Sequence, residues 1–134
     1  MAIPNAAKVA SAFDDKLMAW LMRQGHRPNL MIRFSSCRVC DISGQLGRWC
    51  LPPFHECHLP GTLHLPVVRE GTLVLWNAAA LTPSQQSRLN DWILEGQRKL
   101  QIVSITTTRL ETLVATGDFD DRLFYRLNTI RFDE

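Results

Sequence analysis

The chain has 134 residues, of which 46% are hydrophobic, 21% charged and 8% aromatic, the make-up of one globular domain with enough apolar material for a core. That composition excludes collagen, low-complexity sequence and disorder, and no apolar run reaches the roughly 18 residues that a membrane span needs. Fifteen basic residues against thirteen acidic give a net charge of +2, too small and too scattered for a dedicated nucleic-acid binder.

Lys8, Asp14, Asp15 and Lys16 interrupt the apolar segment that a secretory signal would need, so the expected location is cytoplasmic. From Asn5 to Arg23 the pattern is helical: Asn5 is an acceptable N-cap, Phe13, Leu17, Trp20 and Leu21 recur at helical spacing, and Gly25 follows as a stop. Leu30-Met31-Ile32-Arg33-Phe34 suits a short buried strand. Residues 41–66 carry Pro52, Pro53, Pro60 and Pro66 with three histidines, which removes backbone donors, and mostly irregular structure is expected there.

Thr72-Leu73-Val74-Leu75-Trp76 reads as an interior strand with both faces covered. Thr82, Pro83 and Gln85 then supply an N-cap, a first-turn proline and a capping-box partner. Leu89, Trp92 and Ile93 form the apolar stripe of that helix, and Gly96 ends it. Ile102-Val103-Ser104-Ile105-Thr106 is the next strand. A short helix with Leu110, Leu113 and Val114 inward closes at Gly117, and a second runs from Asp118 through Leu123 and Leu127. Strands alternating with helices predict an α/β domain, a parallel sheet flanked by helices, spanning residues 1–134 as one unit.

Four stretches match a family pattern in order and spacing: Gly71-Thr72-Leu73-Val74-Leu75-Trp76-Asn77; Leu81-Thr82-Pro83-Ser84-Gln85-Gln86-Ser87-Arg88-Leu89; Ile102-Val103-Ser104-Ile105-Thr106-Thr107; and Gly117-Asp118-Phe119-Asp120-Asp121-Arg122-Leu123-Phe124-Tyr125-Arg126-Leu127-Asn128. Together they resemble the AAA+ domain of bacterial sigma-54-dependent transcription activators, a P-loop-NTPase-like core. The likeness covers about residues 71–132, and Arg33-Phe34-Ser35-Ser36-Cys37 looks like the family's second strand with the cysteine that ends it.

What the resemblance implies for chemistry is mostly negative. The family binds ATP through a Gly-rich loop ending in Gly-Lys-Ser/Thr, yet none of the seven glycines here precedes a lysine, and the chain is expected to start where that loop should be finishing. The family's strand ending in Asp-Glu, one carboxylate for metal and one for the attacking water, reads Trp76-Asn77 here. The asparagine that reads the γ-phosphate becomes Thr107. Of the two arginines offered to a neighbouring subunit, one position is Asp120 and the other is Arg126. Pro53-Phe54-His55-Glu56-Cys57-His58 bears no Gly-Ala-Phe-Thr-Gly-Ala pattern, and the chain stops before the lid domain and any helix-turn-helix. The resemblance therefore implies a truncated, degenerate relative, a pseudo-ATPase that binds no ATP and keeps the scaffold for protein contact.

Arg122 and Arg126, four apart on the last helix, share a face and are the candidate interface residues. The alternative for that face is a solvated surface with an Asp118–Arg122 ion pair. Cys37, Cys40, Cys50, His55, Cys57 and His58 are six groups of the kinds zinc prefers, and ligation would order a proline-rich segment. Against zinc, Cys40 to Cys50 is not a usual finger spacing, and buried or idle thiols with surface histidines account for the same residues. No nucleophile elbow accompanies His26, His55, His58 or His64. Two functions follow. One is a regulatory module without cofactor that associates with itself, with a sigma-54 activator or with the transcription machinery, and contacts no nucleic acid or membrane directly. The other is a small zinc-binding adaptor or enzyme using residues 37–58.

Overall fold

The computed structural model describes residues 28–33, 46–47, 50–67, 70–95 and 99–133. The helix expected over Asn5–Arg23 lies outside them, as do Cys37 and Cys40. Five strands are present among the described residues: β1 (Leu30–Arg33), β2 (Phe54–His58), β3 (Glu70–Trp76), β4 (Lys99–Thr106) and β5 (Ile130–Asp133). A short 3-10 helix (Ala78–Ala80) and three longer helices accompany them: α1 (Pro83–Leu94), α2 (Leu110–Thr116) and α3 (Asp121–Leu127). The sheet order is β2-β3-β4-β1-β5 and every pairing is parallel, as the alternation of strands and helices predicted.

Alternation along the strands divides the core in two. Met31, Leu73, Leu75 and Ile102 face α1, α2 and α3, which bury Leu89, Trp92, Leu110, Leu123, Phe124 and Leu127 against them. Leu30, Ile32, Val74, Trp76, Val103, Ile105 and Phe132 point to the other face, where Leu46 and Cys50 cover them. Covered on both sides, β3 reads as the continuous apolar run seen in the sequence.

The helix ends follow their local chemistry. At α1 the capping box is present: Gln85 N–H donates to the Thr82 hydroxyl at 3.1 Å, and Thr82 N–H donates to Gln85 Oε1 at 3.0 Å. Gly117 closes α2 with φ of 84°, a left-handed cap that glycine adopts without steric cost. Gly71, the second residue of β3 at φ 132°, lies hard against the chain before β2; a Cβ there would lie 2.6 Å from Pro53 O.

Three expectations need correction. First, the proline-rich segment 41–66 contains β2, an edge strand paired with β3 from Phe54↔Thr72 to His58↔Trp76. Its prolines flank the strand instead of interrupting it, and one edge of an outer strand needs no partner. Second, Arg33 ends β1, in the centre of the sheet between β4 and β5, and so belongs to the first described strand; the second is Phe54–His58. Leu30–Arg33 is thus a central strand that precedes β2 in the chain. Third, α3 starts at Asp121, with Asp120 as N-cap accepting from Leu123 N–H at 3.1 Å. Asp118 precedes the helix and accepts from the Thr116 hydroxyl at 2.8 Å, so the Asp118–Arg122 helix pair does not form.

Candidate functional site

In an open parallel sheet the ligand crevice lies at the carboxyl ends of the strands, where neighbouring connections leave in opposite directions. Here that point falls at β1 and β4: β1 leads away towards β2 at one edge, and β4 leads across β1 to β5 at the other. Arg33, Thr106 and, one strand further, Trp76 and Asn77 stand at these ends.

The groups there are largely turned inward. Trp76 is 7% exposed; its Nε1–H donates to Glu56 Oε1 at 2.7 Å, and its ring stacks on His58 with centroids 5.9 Å apart and planes 4° from parallel. The register of β2 on β3 makes this possible, since Glu56 and His58 share one side of β2 and His58 lies opposite Trp76. Asn77 adopts a left-handed conformation, φ 62° and ψ 54°, which asparagine tolerates better than most residues. Its Nδ2 donates to Leu59 O at 3.1 Å while Leu59 N–H donates to Trp76 O at 3.0 Å, stitching the end of β3 to the turn after β2. Thr106 is also occupied, donating to Thr108 O and accepting from Thr108 N–H, both at 3.0 Å. An indole and an amide supply no carboxylate to a metal ion, so Trp76 and Asn77 do not fit the magnesium–nucleotide site that the family resemblance implies.

The second candidate region is the junction of α1 with the α2–α3 turn. Gln86 is buried and its Nε2 donates to Leu81 O and Asp118 O, both at 3.0 Å, while its Oε1 accepts from Asp120 N–H at 2.8 Å. Asn90 Nδ2 donates to the Asp120 carboxylate at 2.6 Å and its Oδ1 accepts from Arg126 Nη1. Arg126 is half-buried and belongs to this network; Arg122 is exposed and lines a polar cleft of about 350 Å³ with Ser87, Asn90, Asp118 and Asp120. The two arginines lie little more than one turn apart on the same side of α3, yet Arg126 reaches Asn90 on α1 while Arg122 stays towards solvent. Tyr125, 74% exposed, is the other large exposed side chain of α3. Nothing in the sequence marked Gln86 or Asn90, which became partners only when α1 packed on α3.

Of the six zinc candidates, Cys37 and Cys40 lie outside the described residues, and the four that are described do not converge. Cys57 packs with the helix-side core, its Sγ 3.5 Å from His64 O, whereas Cys50 packs in the core on the opposite face. A sheet separates them, and no three His, Cys, Asp or Glu residues among the described ones are grouped to hold a metal. His55 and His58, neighbours of Cys57 in sequence, point to opposite sides of β2. Glu111, in the first turn of α2, has its ionisation shifted by its surroundings. Burial opposes its ionisation, but the hydrogen bond from Arg131, its own backbone N–H and the charges of Arg131 and Arg109 outweigh that and hold its carboxyl below the ordinary 4.5.

The strand order and the two-sided core define the class: a parallel α/β fold similar to the AAA+ core of P-loop proteins. The sequence matches the family model of the sigma-54 interaction domain over residues 43–133, and the chain belongs to that family. Among solved structures it is similar to NtrX from Brucella abortus. For NtrX in complex with ADP the TM-score is 0.63 at 17% identity, covering 87% of this chain and 35% of that one. For NtrX in complex with ATP the values are 0.59, 17%, 88% and 34%, and for a further NtrX structure 0.57, 18%, 89% and 35%. The chain thus spans about a third of the length of the NtrX chains it matches. No curated protein gives a significant match. Among the described residues no helix is long and apolar enough to cross a membrane.

Proposed function

We propose that the chain is a regulatory module of the sigma-54 interaction family that works by protein contact in the cytoplasm, without cofactor and without binding or hydrolysing ATP. Its partner is a sigma-54 activator, the transcription machinery or a second copy. The observation that carries the reading is the carboxyl end of β3, where Trp76 and Asn77 replace the expected carboxylates and both spend their polar groups on neighbouring residues of the same chain. Arg122 and Tyr125 form the exposed contact surface of α3, and Arg126 holds that helix in place through Asn90.

Titration calorimetry with magnesium-ATP tests the first half of the reading, and a flat isotherm is expected. Micromolar binding overturns it. Affinity capture from the source cell with mass spectrometry tests the second, with the expectation that Arg122→Ala loses a partner that the parent retains. A metal assay on the purified protein separates this module from the zinc adaptor.

A further inference from the structure

We propose that the cavity between β2, β3 and the helical residues Leu46 and Gly47 is a binding site for an organic cation, a guanidinium or ammonium group carried on a short aliphatic stem. Its described walls are Leu46, Gly47, Phe54, Glu56, Val74 and Trp76, around a volume of about 180 Å³, several times one water's share of the liquid. It lies on the face of the sheet opposite the three helices; it shares Trp76 with the end of β3 but takes its charge from Glu56 on β2, and it stands whether or not the chain binds nucleotide.

Strand alternation builds the site. Phe54 and Glu56 project to the same side of β2, and the register sets Glu56 opposite Val74, so an aromatic ring, an aliphatic side chain and a carboxylate meet around one space. The indole of Trp76 fixes Glu56 by donating to its Oε1 at 2.7 Å. One neutral donor does not exhaust a carboxylate, which has two oxygens and about four acceptor positions, and it leaves the negative charge in place. No described residue forms an ion pair with Glu56. Phe54 is 39% exposed, so the cavity is reachable from solvent.

These features select the ligand. An anion is repelled by Glu56. A neutral apolar molecule would strip water from the carboxylate and return no hydrogen bond. A cation with an apolar stem satisfies both parts at once: its charge meets the carboxylate and the aromatic walls, and its stem covers Val74 and Leu46.

The test is nuclear magnetic resonance of the full chain, following the indole N–H of Trp76 during titration with n-butylguanidinium or n-butylammonium chloride at constant ionic strength. The neutral n-butanol serves as the control. Saturable shifts with the cations and none with the alcohol are expected. Glu56→Gln keeps an acceptor for the indole and should weaken cation binding about tenfold, a loss of about 1.4 kcal/mol. Phe54→Ala, at an exposed ring, should weaken it while melting like the parent, and gives the readout should the glutamine variant fail to fold. A capped arginine peptide that binds more tightly than n-butylguanidinium assigns the cation to a partner protein's side chain, and the reverse order assigns it to a free amine. The proposal is overturned by absence of saturation with either cation, by equal shifts with n-butanol, or by unchanged affinity in a folded Glu56→Gln or Phe54→Ala variant.

Discussion

The carboxyl end of β3 and the junction between α1 and α3 are both places where this chain departs from the residues its family resemblance implies, and they are closed by different physics. At β3 a large ring is buried and a single hydrogen bond fixes its one polar atom. At the helix junction Gln86, Asn90, Asp120 and Arg126 satisfy one another in a chain of polar contacts. The first closure draws on apolar burial and is sensitive to volume. The second draws on complementary donors and acceptors and is sensitive to chemical identity.

Trp76→Asp is the most severe way to break the first closure. It removes the buried indole and places a second carboxylate beside Glu56, and a loss of about 3–5 kcal/mol is expected in urea unfolding. Under the proposed function the variant gains no ATPase activity. A variant that unfolds at the parent's denaturant midpoint would show that the ring fills nothing of consequence.

Arg126→Ala sharpens the comparison at the polar side. The partner it abandons is the neutral Asn90 Oδ1, not a carboxylate, so the expected cost is about 1 kcal/mol, visible as a small drop in melting temperature. Sedimentation should be unchanged in Arg126→Ala and altered in Arg122→Ala if the exposed arginine carries self-association. The opposite pattern would return Arg126 to the interface role that the sequence suggested.

The smallest effect concerns Glu111 and Arg131, which pair at 2.7 Å with the carboxylate 42% exposed. Because the folded-state pKa of Glu111 lies below its ordinary 4.5, the pair's contribution is present above that value and fades as pH falls through the lowered one. Solvent screening keeps it under about 1 kcal/mol. Glu111→Gln should therefore cost a few tenths of a kcal/mol at neutral pH and nothing once acid has protonated the parent's carboxyl, so that the two stability curves converge at low pH, as checked by thermal melts across pH.

The limits of legibility follow the range of the interactions. The capping box at Thr82 and Gln85, the apolar run of β3 and the Gly117 cap could be read from sequence because each depends on residues within a few positions of one another. By contrast, β2 was hidden because its pairing partner supplies the order that its prolines seemed to deny. β5 offered only four residues, Ile130–Asp133, and depends on β1 for its place. The zinc set was proposed on residue type and spacing, and spacing could not show that two of its members, Cys50 and Cys57, fall on opposite faces of a sheet.

The sequence by itself determined the α/β class, the family and the burial of Trp76, since these follow from residue identity and local periodicity. Only the tertiary structure decided which polar groups remain available. Arg126 is committed to Asn90, Arg122 is left to solvent, and Glu56 is brought to the rim of an apolar cavity by strand register. Such choices rest on contacts between residues twenty or more positions apart, whose geometry exists only after the sheet has formed and the helices have packed upon it.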